Sequence, residues 1–224
     1  MKTKNLFFAV LTLAALSAGL VSCESDNLKD SSKTHEWVDL GLSVKWATCN
    51  VGATKPEEYG DHYAWGETTT KSSYSYDNYK WSNDGCDTFT KYCTSSDYGT
   101  VDNKTVLDSE DDAARANWGG AWRMPTDDEW TELRENCTWT WNIKNGVNGY
   151  EVKSKTNGNS IFLPAAGYRR SDGLVDAGYG GYYWSSSLYT DGLDDAWRVY
   201  FCSDYVHRYE GGRDYGLSVR PVFK

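Results

Sequence analysis

The chain has 224 residues, with 32 acidic against 23 basic side chains and a formal charge of −9. That balance excludes a nucleic-acid-binding surface, which runs on clustered Lys and Arg. Its 11 Trp and 17 Tyr each bury a large area while keeping one polar handle, so a loop-rich domain stapled by aromatic rings is expected.

Lys2 and Lys4 precede an apolar run from Leu6 to about Leu16, followed by Ser17-Ala18-Gly19 and the tetrad Leu20-Val21-Ser22-Cys23. This is the layout of a secretory signal ending in a lipobox: residues 1–22 are removed and Cys23 is lipidated. A membrane-spanning helix needs about 20 apolar residues, and this run carries Thr12 and Ser17 and stops short. Removing two lysines and no acids takes the formal charge from −9 to −11. Glu24 and Asp26 stand beside the lipid site, and the expected location is the outer membrane of the cell envelope, facing outward, held by the lipid alone. Residues 23–35 are rich in Ser, Asp, Asn and Lys and read as a flexible tether. A folded domain is expected over residues 36–224.

That domain opens with Trp37 to Trp46, where apolar side chains recur near period two around Gly41 and predict two short strands. Residues 66–105 hold no sustained period and predict long surface loops held by Tyr74, Tyr76, Tyr79 and Trp81. Asp108 or Ser109 is a candidate cap for a helix that starts with Glu110, Asp111 and Asp112 and stops at Gly119-Gly120. A second helix starts at Thr126, which forms a capping box with Glu129, and ends near Asn136, with Trp130, Leu133 and Cys137 on one face. Beyond it, Trp139, Trp141, Gly146 to Tyr150 and Ile161 to Pro164 predict hairpin strands, separated by Asn-Gly turns at Asn145-Gly146, Asn148-Gly149 and Asn157-Gly158. Strands, loops, two helices and further strands in that order predict an α+β domain with helices packed on a mostly antiparallel sheet.

Five cysteines besides Cys23 permit two disulfides in an oxidising compartment, with Cys86 and Cys93 near enough in sequence to close a short loop. His35, His62 and His207 do not stand at metal-ligand spacing and read as surface or partly packed side chains. The acids of residues 108–112 lack a calcium-loop pattern and are explained by a helix N-terminus. The run Ser185-Ser186-Ser187 has no nucleophile-elbow setting. No catalytic residue, metal site or cofactor is therefore expected.

In Ala196 to Cys202 the bulky residues Trp197, Val199 and Phe201 alternate with Arg198, Tyr200 and Cys202, which predicts a core face and an outer face. The alternation resumes at Tyr205, Val206 and His207. The outer set mixes Tyr, Arg, His, Asp, Gly and Cys, the composition of an adaptable contact surface with rigid aromatic anchors.

Several stretches resemble one family: Trp37-Val38-Asp39-Leu40-Gly41-Leu42-Ser43-Val44-Lys45-Trp46-Ala47, Tyr63-Ala64-Trp65-Gly66-Glu67, Asn117-Trp118-Gly119-Gly120, Trp122-Arg123-Met124-Pro125-Thr126, Ile161 to Tyr168, and Tyr183-Trp184-Ser185-Ser186. Together they look like the Fibrobacter succinogenes major paralogous domain, over residues 36 to 223. The resemblance implies a C-type-lectin-like fold. The block around Arg123, Pro125, Thr126, Glu129 and Trp130 also resembles the formylglycine-generating-enzyme branch of that fold, but fold does not transfer activity.

The last third is similar to targets of diversity-generating retroelements, in which adenine-directed rewriting yields Tyr, Asp, His, Ser, Gly, Arg, Cys or Leu but never Lys. Thirteen lysines lie in residues 1–155 and none between Thr156 and Phe223. The positions this resemblance assigns to ligand binding are Tyr189, Gly192, Leu193, Asp194, Asp195, Arg198, Tyr200, Cys202, Tyr205, His207, Tyr209, Arg213, Asp214 and Tyr215, with Gly211 and Gly212 beside them. Glu210 departs from the pattern. The implied function is a surface receptor or adhesin, not an enzyme, whose partner is a protein or a glycan. Two alternatives are a formylglycine-generating oxidase, which needs a reactive cysteine pair for which only Cys137 and Cys202 stand in the right part of the chain, and a fixed structural surface subunit.

Overall fold

The structure is a computed structural model that describes residues 35–224. The expected signal of residues 1–22, the lipidation site Cys23 and nearly all of the tether lie outside the described residues. Those described form an α+β, sheet-rich arrangement. In chain order the strands are β1 (Trp37–Val38), β2 (Lys45–Ala47), β3 (His62–Tyr63), β4 (Cys137–Lys144), β5 (Val147–Ser154), β6 (Ser160–Pro164), β7 (Tyr168–Arg170) and β8 (Gly173–Val175). They continue with β9 (Gly181–Leu188), β10 (Asp195–Cys202), β11 (Tyr205–Gly212), β12 (Leu217–Ser218) and β13 (Val222–Phe223). The helices are α1 (Ala113–Trp118) and α2 (Asp127–Asn136).

Five strands make the central sheet in the order β11-β10-β9-β12-β3. Its pairings are antiparallel except β12 with β9. The first and last described strands share a second sheet, β1-β2-β13, and β4-β5-β6 and β7-β8 form two hairpin-built sheets.

Alternation along the central strands sends side chains to two cores. Tyr182, Trp184 and Ala196 join Trp65, Phe89 and Tyr92 on one side. Tyr183, Val199 and Phe201 join Trp46, Trp130 and Leu133 on the other. Helix α2 seals the second core, with Trp130 buried against Tyr183 and its indole N–H donating to the Trp184 carbonyl at 3.1 Å.

The α2 start follows local chemistry. The Glu129 amide donates to the Thr126 hydroxyl at 3.2 Å, and the Thr126 amide donates to the Glu129 carboxylate at 2.8 Å. Two amides that the helix leaves without partners are thereby satisfied. The first expected helix is broken instead. Residues Ser109–Asp111 form a single 3-10 turn, and α1 begins only at Ala113, capped by Asp112. Asp112 is the stronger cap because its carboxylate also accepts the Met124 amide at 2.7 Å, tying the helix start to the strand-like segment before α2.

Of the three Asn-Gly turns, Asn145-Gly146 joins β4 to β5 with positive φ at both residues, as a tight hairpin turn requires. Asn157-Gly158 lies in the β5–β6 connection. Asn148-Gly149 is not a turn but lies within β5. A Cβ at Gly149 would sit 2.3 Å from the Leu163 carbonyl, so this glycine permits close approach of β6.

Residues 66–105 carry little regular structure, but they are not merely surface loops. Tyr74, Tyr79, Phe89, Tyr92 and Cys93 are core residues. Each tyrosine hydroxyl donates to a fixed acceptor: Tyr74 to the His62 carbonyl, Tyr79 to the Trp65 carbonyl and Tyr92 to the Asp111 carboxylate. Rings can thus be buried without leaving a polar atom unpaired. His62, expected to be a surface or partly packed side chain, is buried as well. All five described cysteines are free thiols, Cys86 exposed and Cys93 buried, so neither of the two disulfides that their number permits is formed among them, the short Cys86–Cys93 loop included.

Candidate functional site

The hairpin β10–β11 sets the site. Its register places Arg198 opposite Tyr209, Tyr200 opposite His207 and Cys202 opposite Tyr205. Directly opposed residues in an antiparallel pair project to the same side, so these six share one face. Tyr205 and Tyr209 are 38% and 42% exposed, and His207 is exposed too. Their rings form a chain of contacts: Tyr200 meets Tyr205 at 5.5 Å and Tyr209 at 6.1 Å, and His207 meets both outer tyrosines.

This face continues across the sheet onto β9, where Tyr182 stands opposite Tyr200. Tyr200 stacks on Tyr182 at 4.6 Å, Tyr182 packs on Tyr168, and Tyr168 on Tyr215. The Tyr182 hydroxyl donates to Asp176 at 2.6 Å, and burial followed by that bond raises its pKa. The Arg198 guanidinium lies over the Tyr182 ring at 5.2 Å and donates to the Glu210 carbonyl at 3.0 Å. Desolvation lowers the Arg198 pKa. Tyr168 and Tyr182 escape a reading of residues 189–217 alone. The alternation of Tyr182 and Trp184 against Tyr183 was the available signal, since it marks β9 as two-faced.

The other assigned positions separate. Asp194, Asp195, Asp214 and Tyr215 line a cleft of about 360 Å3 with Tyr76 and Arg170. Tyr189 packs edge-on against Trp197 at 4.8 Å, beside Gly192, away from the six-residue face.

Leu193 and Arg213 are interior and must be removed from the contact set. Leu193 belongs to the first core. Arg213 is 0% exposed, and its guanidinium donates to the Tyr79 hydroxyl and to the carbonyls of Lys91, Tyr92 and Leu193. It also lies 4.1 Å over the Phe89 ring. With bonds to three main-chain carbonyls and the Tyr79 hydroxyl, it fastens the loops to the sheet.

Trp197 also differs from expectation. It lies on the same side as Val199 and Phe201 but is only half-buried, because that end of the strand lies at the rim of the core. There the Arg208 guanidinium covers its ring at 3.2 Å, while donating to Asp127 of α2 at 2.7 Å.

Asp108, Glu110 and Asp111 are close enough together to hold a cation. An ammonium already occupies that role: Lys91 reaches Asp108 and Asp111 at 2.6 Å each, and Lys104 and Lys80 add further pairs. Hydrogen bonds from Lys104 and then Lys91 lower the Asp108 pKa.

Cys137 and Cys202 do not come together. Cys137 lies in the second core, where burial pushes its thiol up to about 11. Cys202 alternates with Phe201 and faces the opposite side of the sheet.

A family model described as "Domain of unknown function" (DUF8237) matches residues 141–222, which include the whole β10–β11 hairpin. No curated protein and no solved structure matches the chain.

Proposed function

We propose that the chain is a lipid-anchored binding protein of the bacterial cell surface, a receptor or adhesin with a C-type-lectin-like fold, related to the Fibrobacter succinogenes major paralogous domain. It captures a protein or glycan on the β10–β11 face. The observation that carries this reading is the exposed Tyr205, His207 and Tyr209 grouped with the half-buried Tyr200 on one antiparallel hairpin, Tyr200 being stacked on the buried Tyr182. Aromatic side chains on a fixed backbone give contact area at low entropic cost, which is how binding hot spots are built. Every one of the six face residues is of a type that adenine-directed rewriting can produce, and rewriting them leaves Val199 and Phe201 untouched on the other side. Diversification of this face is thus compatible with a constant core.

An oxidase reading loses its required cysteine pair, since Cys137 and Cys202 are on opposite sides of the sheet. Among the described residues, no helix is long and apolar enough to cross a membrane; attachment in this reading is through the lipid on Cys23.

The test combines genetics and binding. Codons 189 to 217 are sequenced across many cells of the source strain, and the Tyr200→Ala/Tyr205→Ala variant is compared with the parent for adhesion of displaying cells to candidate surfaces. Variation confined to these codons, with adhesion lost in the variant, is expected. A uniform locus together with unchanged adhesion would refute a binding face here.

A further inference from the structure

Beside the aromatic face, the cleft lined by Tyr76, Arg170, Asp194, Asp195, Asp214 and Tyr215 has a feature the fold does not explain. Asp214 is 4% exposed, and its Oδ1 has no hydrogen-bond partner. Buried carboxylate oxygens are almost always paired, because an unpaired one loses its hydration without compensation. Burial raises the Asp214 pKa to about 6, and burial together with Asp194 and Glu210 raises that of Asp195 to about 6. At neutral pH both carry charge against that cost.

The neighbouring cations do not neutralise the cleft. Lys71 is held by Glu67 at 3.0 Å and by the Asn78 carbonyl. Arg198 is turned to the Glu210 carbonyl and Arg213 to the core carbonyls. Arg170 lies over the Tyr215 ring at 5.3 Å and is in no ion pair among the described residues. Three aspartates therefore face one arginine that none of them binds. The walls are organised: the Tyr76 hydroxyl donates to the Asp194 carbonyl at 2.5 Å, and Tyr215 stacks with Tyr168, at the far end of the tyrosine row that starts from Tyr200 of the binding face.

The geometry points to this cleft as a receptor for one basic side chain, a guanidinium or ammonium group projected by a protein ligand docked on the β10–β11 face. An organic cation fits better than a metal ion. The three aspartates do not converge as ligands, the described acids that do being Asp108, Glu110 and Asp111. Arg170 opposes a divalent charge more strongly than a monovalent one, and the partly exposed Tyr76 ring suits a planar or methylene-bearing cation. The bound group would place a positive charge against the Asp214 and Asp195 carboxylates and offset their desolvation. The assignment rests on the aromatic face being a ligand surface, but the cleft can be tested without that ligand.

The full chain in detergent is titrated calorimetrically at pH 7.5 with N-acetyl-arginine methylamide and N-acetyl-lysine methylamide. N-acetyl-citrulline methylamide, methyl glucosaminide and calcium chloride serve as comparators. Saturable binding of a basic probe is expected, at least tenfold tighter than citrulline, reduced at least tenfold in Asp214→Asn and weakened at pH 5 as Asp214 and Asp195 take up protons. Tyr205→Ala is expected to leave small-probe binding unchanged, which separates failure of the cleft from failure of the face. Asp195→Asn gives a second reading should Asp214→Asn fold poorly. No saturable binding of either basic probe, or binding unaffected by both substitutions, overturns the proposal. So does Asp214-dependent binding of calcium or of the amino sugar in place of the basic probes.

Discussion

Replacing Arg213 by alanine separates a structural arginine from a ligand-contacting one. Its guanidinium donates to three main-chain carbonyls and to the Tyr79 hydroxyl, whose own proton is already given to Trp65. Truncation strands the carbonyls of Lys91, Tyr92 and Leu193, at about 1–3 kcal/mol for each buried acceptor left unmet. It also removes the cation from the Phe89 ring. Water entering the vacated space and release of the buried charge offset part of this, leaving an expected loss of about 3–5 kcal/mol. For a domain of this size that lowers Tm by roughly 10 °C. The assay is urea unfolding followed by tryptophan fluorescence, with Arg198→Ala, which gives up one carbonyl and a ring contact, expected to lose about 1 kcal/mol. An Arg213→Ala chain as stable as Arg198→Ala would refute the interior assignment and return Arg213 to the contact surface.

The same unfolding assay should rank Trp184→Ala, which loses a fully buried ring and its bond to the Tyr63 carbonyl, at about 3–5 kcal/mol. Trp197→Ala, half-exposed at the rim, should lose only about 1–2 kcal/mol; equal losses would place Trp197 in the core after all. Tyr200→Ala/Tyr205→Ala should stay within about 2 kcal/mol of the parent, since Tyr205 is exposed and Tyr200 surrenders chiefly its stacking on Tyr182. Thr126→Ala should cost about 1 kcal/mol through the lost cap, and an unchanged midpoint would mean that tertiary packing alone sets the α2 start. Asp214 holds its proton more tightly folded than unfolded, so its contribution is present below about pH 4 and lost as pH rises through about 6. Parent stability should therefore fall relative to Asp214→Asn between pH 4 and 7, by up to about 3 kcal/mol. A stability difference that does not vary with pH would show that Asp214 is not held in a desolvated site.

What could be read from the residues was whatever is decided within a few positions of the chain. The Thr126–Glu129 box places a helix start because both partners lie on one turn. Asn145-Gly146 makes a hairpin turn because its backbone tolerates positive φ. Period two puts Arg198, Tyr200 and Cys202 opposite to Val199 and Phe201 because a strand has no other option. Depth is another matter. Arg213 reads as a polar surface residue until carbonyls from residues 91, 92 and 193 converge on it. Tyr74, Tyr79 and Tyr92 read as loop residues until distant acceptors let their hydroxyls be buried. Trp197 reads as core until the edge of the sheet and Arg208 leave it at the rim. Asn148-Gly149 reads as a turn until β6 approaches so closely that only a glycine fits. Capping, turn chemistry and alternation are local properties of the backbone, and the sequence alone determines them; which strands pair across the chain, which side of a strand meets another layer, and how deeply, is decided by segments far apart and exists only once they have packed.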